Sequence, residues 1–318
     1  MNAAQRLCLL VACGMLSFSL VAHAAESAPA QEKVLVPGQA ITGGRLAARL
    51  DANGIPLPGA LQGFLTFVFP SALAARGPDL YIADSGTRKV YRFDATLQAL
   101  SVVPGIVAMP WTRLQVGADQ SLFALDAGSS TILHYTRGGQ LLRTLNDPLA
   151  TASLAEFVVD EAFGQIIASD QMNRRLRVIS PLGGASRPLS PVGESESMAL
   201  GALARIGRTI YAVDRGCSCI AAMDDEEGRV RERIGQGLLT QPRALAADRY
   251  GRLFIADDFD HALKVFLRGA LVASYEARML HVIEISALAV DESILYIADG
   301  PGAQVAVFHI RPPVERRQ

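Results

Sequence analysis

Pro242-Arg-Ala-Leu-Ala-Ala-Asp-Arg-Tyr-Gly-Arg-Leu-Phe-Ile-Ala-Asp257 holds two apolar runs, Ala244 to Ala247 and Leu253 to Ala256, on either side of a polar turn. The second run ends in Asp, and that phrase recurs along the chain. It reads Leu80-Tyr-Ile-Ala-Asp84, Leu122-Phe-Ala-Leu-Asp126, Ile166-Ile-Ala-Ser-Asp170, Ile210-Tyr-Ala-Val-Asp214, Leu253-Phe-Ile-Ala-Asp257 and Leu295-Tyr-Ile-Ala-Asp299. The aspartates are 42, 44, 44, 43 and 42 residues apart, and six residues after each comes an aliphatic: Val90, Ile132, Leu176, Ile220, Leu263 and Val305. A fixed period of this length is the signature of a repeat architecture.

Each run is about five residues long, rich in Ile, Val, Tyr and Phe, as strands buried on both faces are, and too short for a helix. Turn formers separate the runs: Asp84-Ser-Gly, Asp126-Ala-Gly-Ser and Asp299-Gly-Pro-Gly. A small apolar strand precedes each run, such as Ala72 to Ala75 or Ala287 to Val290. A third strand follows, Lys89 to Phe93 or Leu263 to Phe266, and then a more polar fourth, Arg229 to Ile234. Four strands per unit at this period is propeller-blade spacing. The expected fold is therefore all-β, a six-bladed β-propeller of four-stranded antiparallel blades. The units run about 66–108, 109–150, 151–194, 195–238, 239–281 and 282–311.

The units resemble NHL repeats, in particular those of exported bacterial-type NHL proteins. That pattern has a proline, an inner strand, an apolar strand ending Val/Ile-Ala-Asp, and a turn with Asn, Arg and an aliphatic. Pro242 to Asp257 follows it, and Asp170-Gln-Met-Asn173-Arg174-Arg175-Leu176 supplies the full turn. Thr87, Ser129, Cys217, Asp260 and Gly302 replace the Asn elsewhere. The resemblance covers roughly residues 66–310 and implies the propeller fold, which hosts many functions.

The last unit ends at its third strand near Ile310, so closing the ring needs a strand from the N-terminal side. Gly43 to Leu50 or Leu61 to Phe67 are the expected donors, with 25–42 as leader, 43–311 as propeller and 312–318 as tail. Residues 1–24 read as a signal peptide: Arg6 in the n-region, an apolar stretch from Leu7 to Val21, and Ala22-His23-Ala24 before the cut. The minority alternative is a lipobox at Leu10-Val11-Ala12-Cys13 with Cys13 acylated. Either implies a periplasmic or secreted protein. No other segment has transmembrane length.

The chain has 318 residues, half of them hydrophobic, with 30 Lys and Arg against 31 Asp and Glu. A core of that size excludes disorder, and near-neutral charge argues against a nucleic-acid partner. Cleavage after Ala24 removes Cys8 and Cys13, leaving Cys217 and Cys219, so the fold does not depend on a disulfide framework. Cys217-Ser-Cys219 reads as a thiol pair or a bridge confined to a turn. A soft-metal site with Met223 lacks further ligands.

Two readings exist for Asp84, Asp126, Asp170, Asp214, Asp257 and Asp299: a carboxylate ring holding calcium, or structural turn caps. Caps are expected in every blade, and sites rarely have six-fold symmetry. Residues that break the symmetry carry more functional information. Alignment on Leu73, Leu114, Val158, Leu203, Leu245 and Leu288 places Ser71, Thr112, Glu156, Gly201, Arg243 and Ser286 in one row at the channel mouth. Glu156, Arg243 and the neighbouring Trp111 and Arg215 are the candidate ligand- or partner-binding residues. Glu156 and Arg243 could equally pair with one another. His134, His261, His281 and His309 fall at unrelated blade positions and suggest no zinc site. No catalytic residue is assigned. The leading expectation is a non-catalytic, monomeric scaffold without a cofactor, binding a protein, peptide or glycan of the cell envelope. The alternative is a divalent-metal lactonase of the gluconolactonase-like type, using calcium, although the Glu-Gly-Pro entry and inner-strand Asn of that family are missing here.

Overall fold

A computed structural model describes residues 33–313, except 52–55, 58, 147–151, 162–163, 185 and 190–197. The expected signal peptide, Cys13 and most of the expected C-terminal tail lie outside the described residues. Among those described, no helix is long and apolar enough to cross a membrane.

The chain forms six antiparallel blades, and their inner strands neighbour one another in a closed cycle: Pro70–Arg76, Thr112–Val116, Leu154–Asp160, Leu200–Ile206, Pro242–Ala247 and Ala287–Asp291. Each inner strand hairpins into the strand that carries the repeated phrase. Asp79–Asp84 and Arg252–Asp257 are buried at all their positions, which accounts for their continuous apolar character. Six apolar clusters fill the fold, one in each interface between adjacent blades. Phe254 and Leu263 of blade 5, for example, pack with Leu295 and Ile297 of blade 6. Each fully buried side chain of this size contributes about 1.5–3 kcal/mol.

Blade 6 takes its outermost strand from Leu35–Pro37, inside the expected leader. Leu35 pairs with Ile310, and the Arg311 N–H donates to the Val34 carbonyl at 2.8 Å. Neither expected donor occupies that place. Gly43–Ala47 and Leu61–Thr66 instead form a hairpin on the outer edge of blade 1. Gly43–Ala47 runs parallel to Ala99–Val103, with Arg45 opposite Ala99. Local backbone geometry enforces this placement. Gly43 has φ +156°, where a Cβ would run into the Leu65 carbonyl, so only glycine allows the hairpin to close. Three residues suffice for blade 6, so length and hydrophobicity favoured the wrong segments.

Candidate functional site

The six turn aspartates lie at one end of the ring, where the loop entering each inner strand meets the turn after the second strand. Their contacts identify them as staples between loop and turn. Asp84, fully buried, accepts the N–H groups of Val68 (2.8 Å), Phe69 (3.0 Å) and Thr87 (3.0 Å). Asp299 accepts from Ile283, Glu284 and Gly302, and Asp257 from Thr240, Gln241 and Phe259. Asp170 and Asp214 each accept from one entering-loop N–H, of Ser153 and Ala199. Burial alone would raise the Asp257 pKa. Lys264, 2.8 Å away, and the two loop N–H groups outweigh burial and bring it below the usual range.

Blade 2 departs from this pattern, and its departure accounts for Trp111. Thr112 pairs with Asp126 as Pro70 pairs with Asp84, so Pro110 and Trp111 occupy the places of Val68 and Phe69. Pro110 has no N–H to donate. The Trp111 indole Nε1–H fills that role, donating to Asp126 Oδ1 at 3.0 Å. The polar handle of Trp111 is thus committed to the fold, while its ring remains 42% exposed.

Register also changes the partners assigned to Glu156. Leu73, Leu114, Leu203, Leu245 and Leu288 all pair with the residue two before the turn Asp. In blade 3 that place belongs to Phe157, opposite Ala168, and Val158 lies one further along. The alignment on Val158 was therefore shifted by one. Counted by register, Glu156 shares its row with Arg113, and Ala155 is the counterpart of Ser71 and Arg243. The longer hairpin of blade 3 hides this in the sequence: Phe157 and Ala168 stand 11 positions apart, against 9 or 10 for the equivalent pairs of the other blades. As a result Glu156 pairs with Arg113 of the adjacent blade, Nε to Oε2 3.2 Å, and not with Arg243. It lines a channel pocket of about 90 Å³ together with Arg113, Arg243, Ser71 and Ser286. Burial pushes its pKa up to about 7 against the lowering effects of Arg113 and the Phe157 N–H.

Arg243 meets Glu284 at 2.6 Å and Asp258 at 3.3 Å, both at the rim of the same face. Arg215 is exposed, and its guanidinium has no partner among the described residues. Cys217 and Cys219 are bonded, with Cα atoms 5.2 Å apart. Ser218 between them has φ 49°, so the turn brings them closer than an extended segment would. This leaves no thiolate pair for a metal.

Thus the mouth gathers Glu156, Arg243 and Arg215 on one face, with Trp111 at its rim, and it adds Arg113, Asp258 and Glu284, which the sequence did not single out. Arg113 carried a signal in hindsight, since it sits one residue before the aligned Leu114. A divalent cation fits poorly here, because two guanidinium groups surround the single carboxylate in the channel pocket. Among the described residues, no three His, Cys, Asp or Glu side chains converge as metal ligands. A larger funnel of about 680 Å³ opens at the opposite end, with alanine and valine walls and a rim bearing the Arg76–Glu161 ion pair.

The chain matches no protein-family model and no curated protein. Solved structures do resemble it. A gluconolactonase from Xanthomonas campestris shares 18% identity at a TM-score of 0.59, over 87% of this chain and 97% of that one. A Bacteroides thetaiotaomicron protein of unknown function shares 15% at 0.59, over 87% and 77%. Virginiamycin B lyase from Staphylococcus aureus shares 9% at 0.54, over 79% and 86%. At such identities the likeness establishes the propeller fold and leaves the chemistry open.

Proposed function

We propose that this is an exported, non-catalytic propeller of NHL type that binds a protein or peptide of the cell envelope through its Asp-turn face. The observation that carries this reading is where large apolar side chains meet solvent. Val68, Trp111, Met172, Phe259 and Ile283 all stand on that face, between 42% and 65% exposed. Among the described residues, the opposite face exposes Leu97 and Leu182 in its turns and Leu141, Leu142 and Leu271 at the starts of outer strands. Apolar groups gathered on one rim and interleaved with Arg215, Arg243 and Arg113 form the mixture that protein recognition surfaces use. The lactonase alternative has less support, since the channel carboxylate is already paired to a guanidinium. The leader composition supports export.

Site-specific photo-crosslinking tests this. A crosslinking residue is placed at Phe259 or Met172 on one face and at Leu97 or Leu182 on the other, in cells that make the protein. Discrete adducts are expected from the first pair only. Adducts from the opposite face alone, equal adducts from both, or none from the Asp-turn face refute the reading.

A further inference from the structure

A cleft of about 280 Å³ opens on the Asp-turn face between blades 4 and 5, lined among others by Arg215, Ser218, Thr240, Gln241, Arg243 and Asp258. Its two cations are held differently. Arg243 is anchored by Asp258 and Glu284 and also donates to the Ser286 carbonyl at 3.4 Å, so its position is fixed by the fold. Arg215 is free of partners among the described residues. It lies over Gly201, where a Cβ would stand 3.5 Å from its Nε and Nη2.

Glu284 lies outside the lining but pairs with Arg243, so Asp258 and Glu284 together offset Arg243, and Arg215 is the one guanidinium of the cleft without a carboxylate among the described residues. That balance suits a monoanion. A phosphate dianion would face Asp258 with too little positive charge to offset it. A planar carboxylate matches the fork of a guanidinium in two parallel hydrogen bonds. The Ser218 hydroxyl already donates to the Thr240 carbonyl at 2.8 Å, so it stiffens the wall. Two exposed apolar residues neighbour the lining in sequence: Phe259, 65% exposed, follows Asp258, and Leu238, 49% exposed, stands two before Thr240. A carboxylate flanked by apolar groups is what a peptide presents, at its C-terminus or at an acidic side chain.

We infer that this cleft holds a carboxylate of the bound peptide, with Arg215 as the anchor and Arg243, held by its own carboxylates, as a fixed wall. The inference rests on the peptide-binding reading above and specifies the chemical group recognised.

The test starts from short random peptides in solution, selected for binding to the full mature chain and identified by mass spectrometry. Each selected peptide is remade with its C-terminus amidated, and separately with Asp and Glu changed to Asn and Gln. One of these two changes should weaken binding about tenfold or more, and which one does so identifies the source of the carboxylate. Arg215→Ala should cost the same factor, with no further loss when combined with the neutralised peptide, and Arg215→Lys should recover part of it. Because Arg215 has no partner in the fold, its melting temperature should not move. Phe259→Ser provides the separating control, with melting checked alongside. If it weakens binding while Arg215→Ala and carboxylate removal do not, the carboxylate inference is overturned and the face still binds peptide. If no peptide is selected, or neither variant affects binding, the reading of the face fails as well.

Discussion

Replacing Asp84 with alanine tests whether the repeated aspartates hold the ring together or hold an ion. Asp84 is fully buried and accepts three backbone N–H groups at 2.8–3.0 Å, two from the loop entering blade 1 and one from its own turn. Hydrogen bonds to a charged acceptor are worth about 1.5–3 kcal/mol each, less than additively when they share one carboxylate. Losing all three therefore costs about 4 kcal/mol, since buried donors are left without partners. For a domain of this size about 2 °C of melting temperature corresponds to each kcal/mol, so the expected drop is about 8 °C. Asp126 is the internal standard. It is half-buried and binds Gly128 N–H, the Ser129 hydroxyl and the Trp111 indole, but no backbone N–H of the entering loop. Water can replace much of that, so Asp126→Ala should cost about 1.5 kcal/mol, or about 3 °C. Calorimetric melting of both variants, in chelator and in calcium, gives the comparison. Equal shifts for the two variants would refute the staple assignment. So would a calcium-dependent rise in the native melting temperature that either substitution abolishes.

Three further outcomes are expected. Trp111→Phe keeps the ring but loses the bond to Asp126, at about 1–2 kcal/mol, and adding Pro110→Ala should restore part of it by supplying the missing N–H; thermal melting of the single and double variants checks this. The Glu156 carboxyl titrates near 7 when folded against 4.5 when unfolded, so the unfolded chain loses its proton first and stability falls as pH rises between those values. Glu156→Gln should flatten that part of the melting-versus-pH curve, and an unchanged slope would show that the carboxyl is not enclosed. Arg252 and Asp248 are both fully buried, 2.7 Å apart. Arg252→Ala strands the carboxylate and should cost about 3–5 kcal/mol in chemical denaturation, whereas Arg252→Met combined with Asp248→Asn should recover most of that.

The sequence alone determined the six blades and the buried middle strands. These follow from alternations of apolar and turn residues over spans of five to ten positions, and that signal is local. The shared place of the turn aspartates was legible for the same reason, because a residue that recurs in every unit marks the same turn of each. Pairings across blades required the tertiary structure. The longer hairpin of blade 3 moves its inner strand by one place against the repeat, a change invisible in a linear alignment, and it puts Glu156 in the row of Arg113 instead of the Arg243 row. Trp111 gains its role only because Pro110 lacks a donor opposite a carboxylate 16 residues away in sequence and adjacent in space. Ring closure through Leu35–Pro37 depends on which segment reaches Gln304–Ile310 once six interfaces have packed, and three ordinary residues carry no sequence signal of that. Local chemistry specifies each blade, and the geometry of closure decides which charges of neighbouring blades meet.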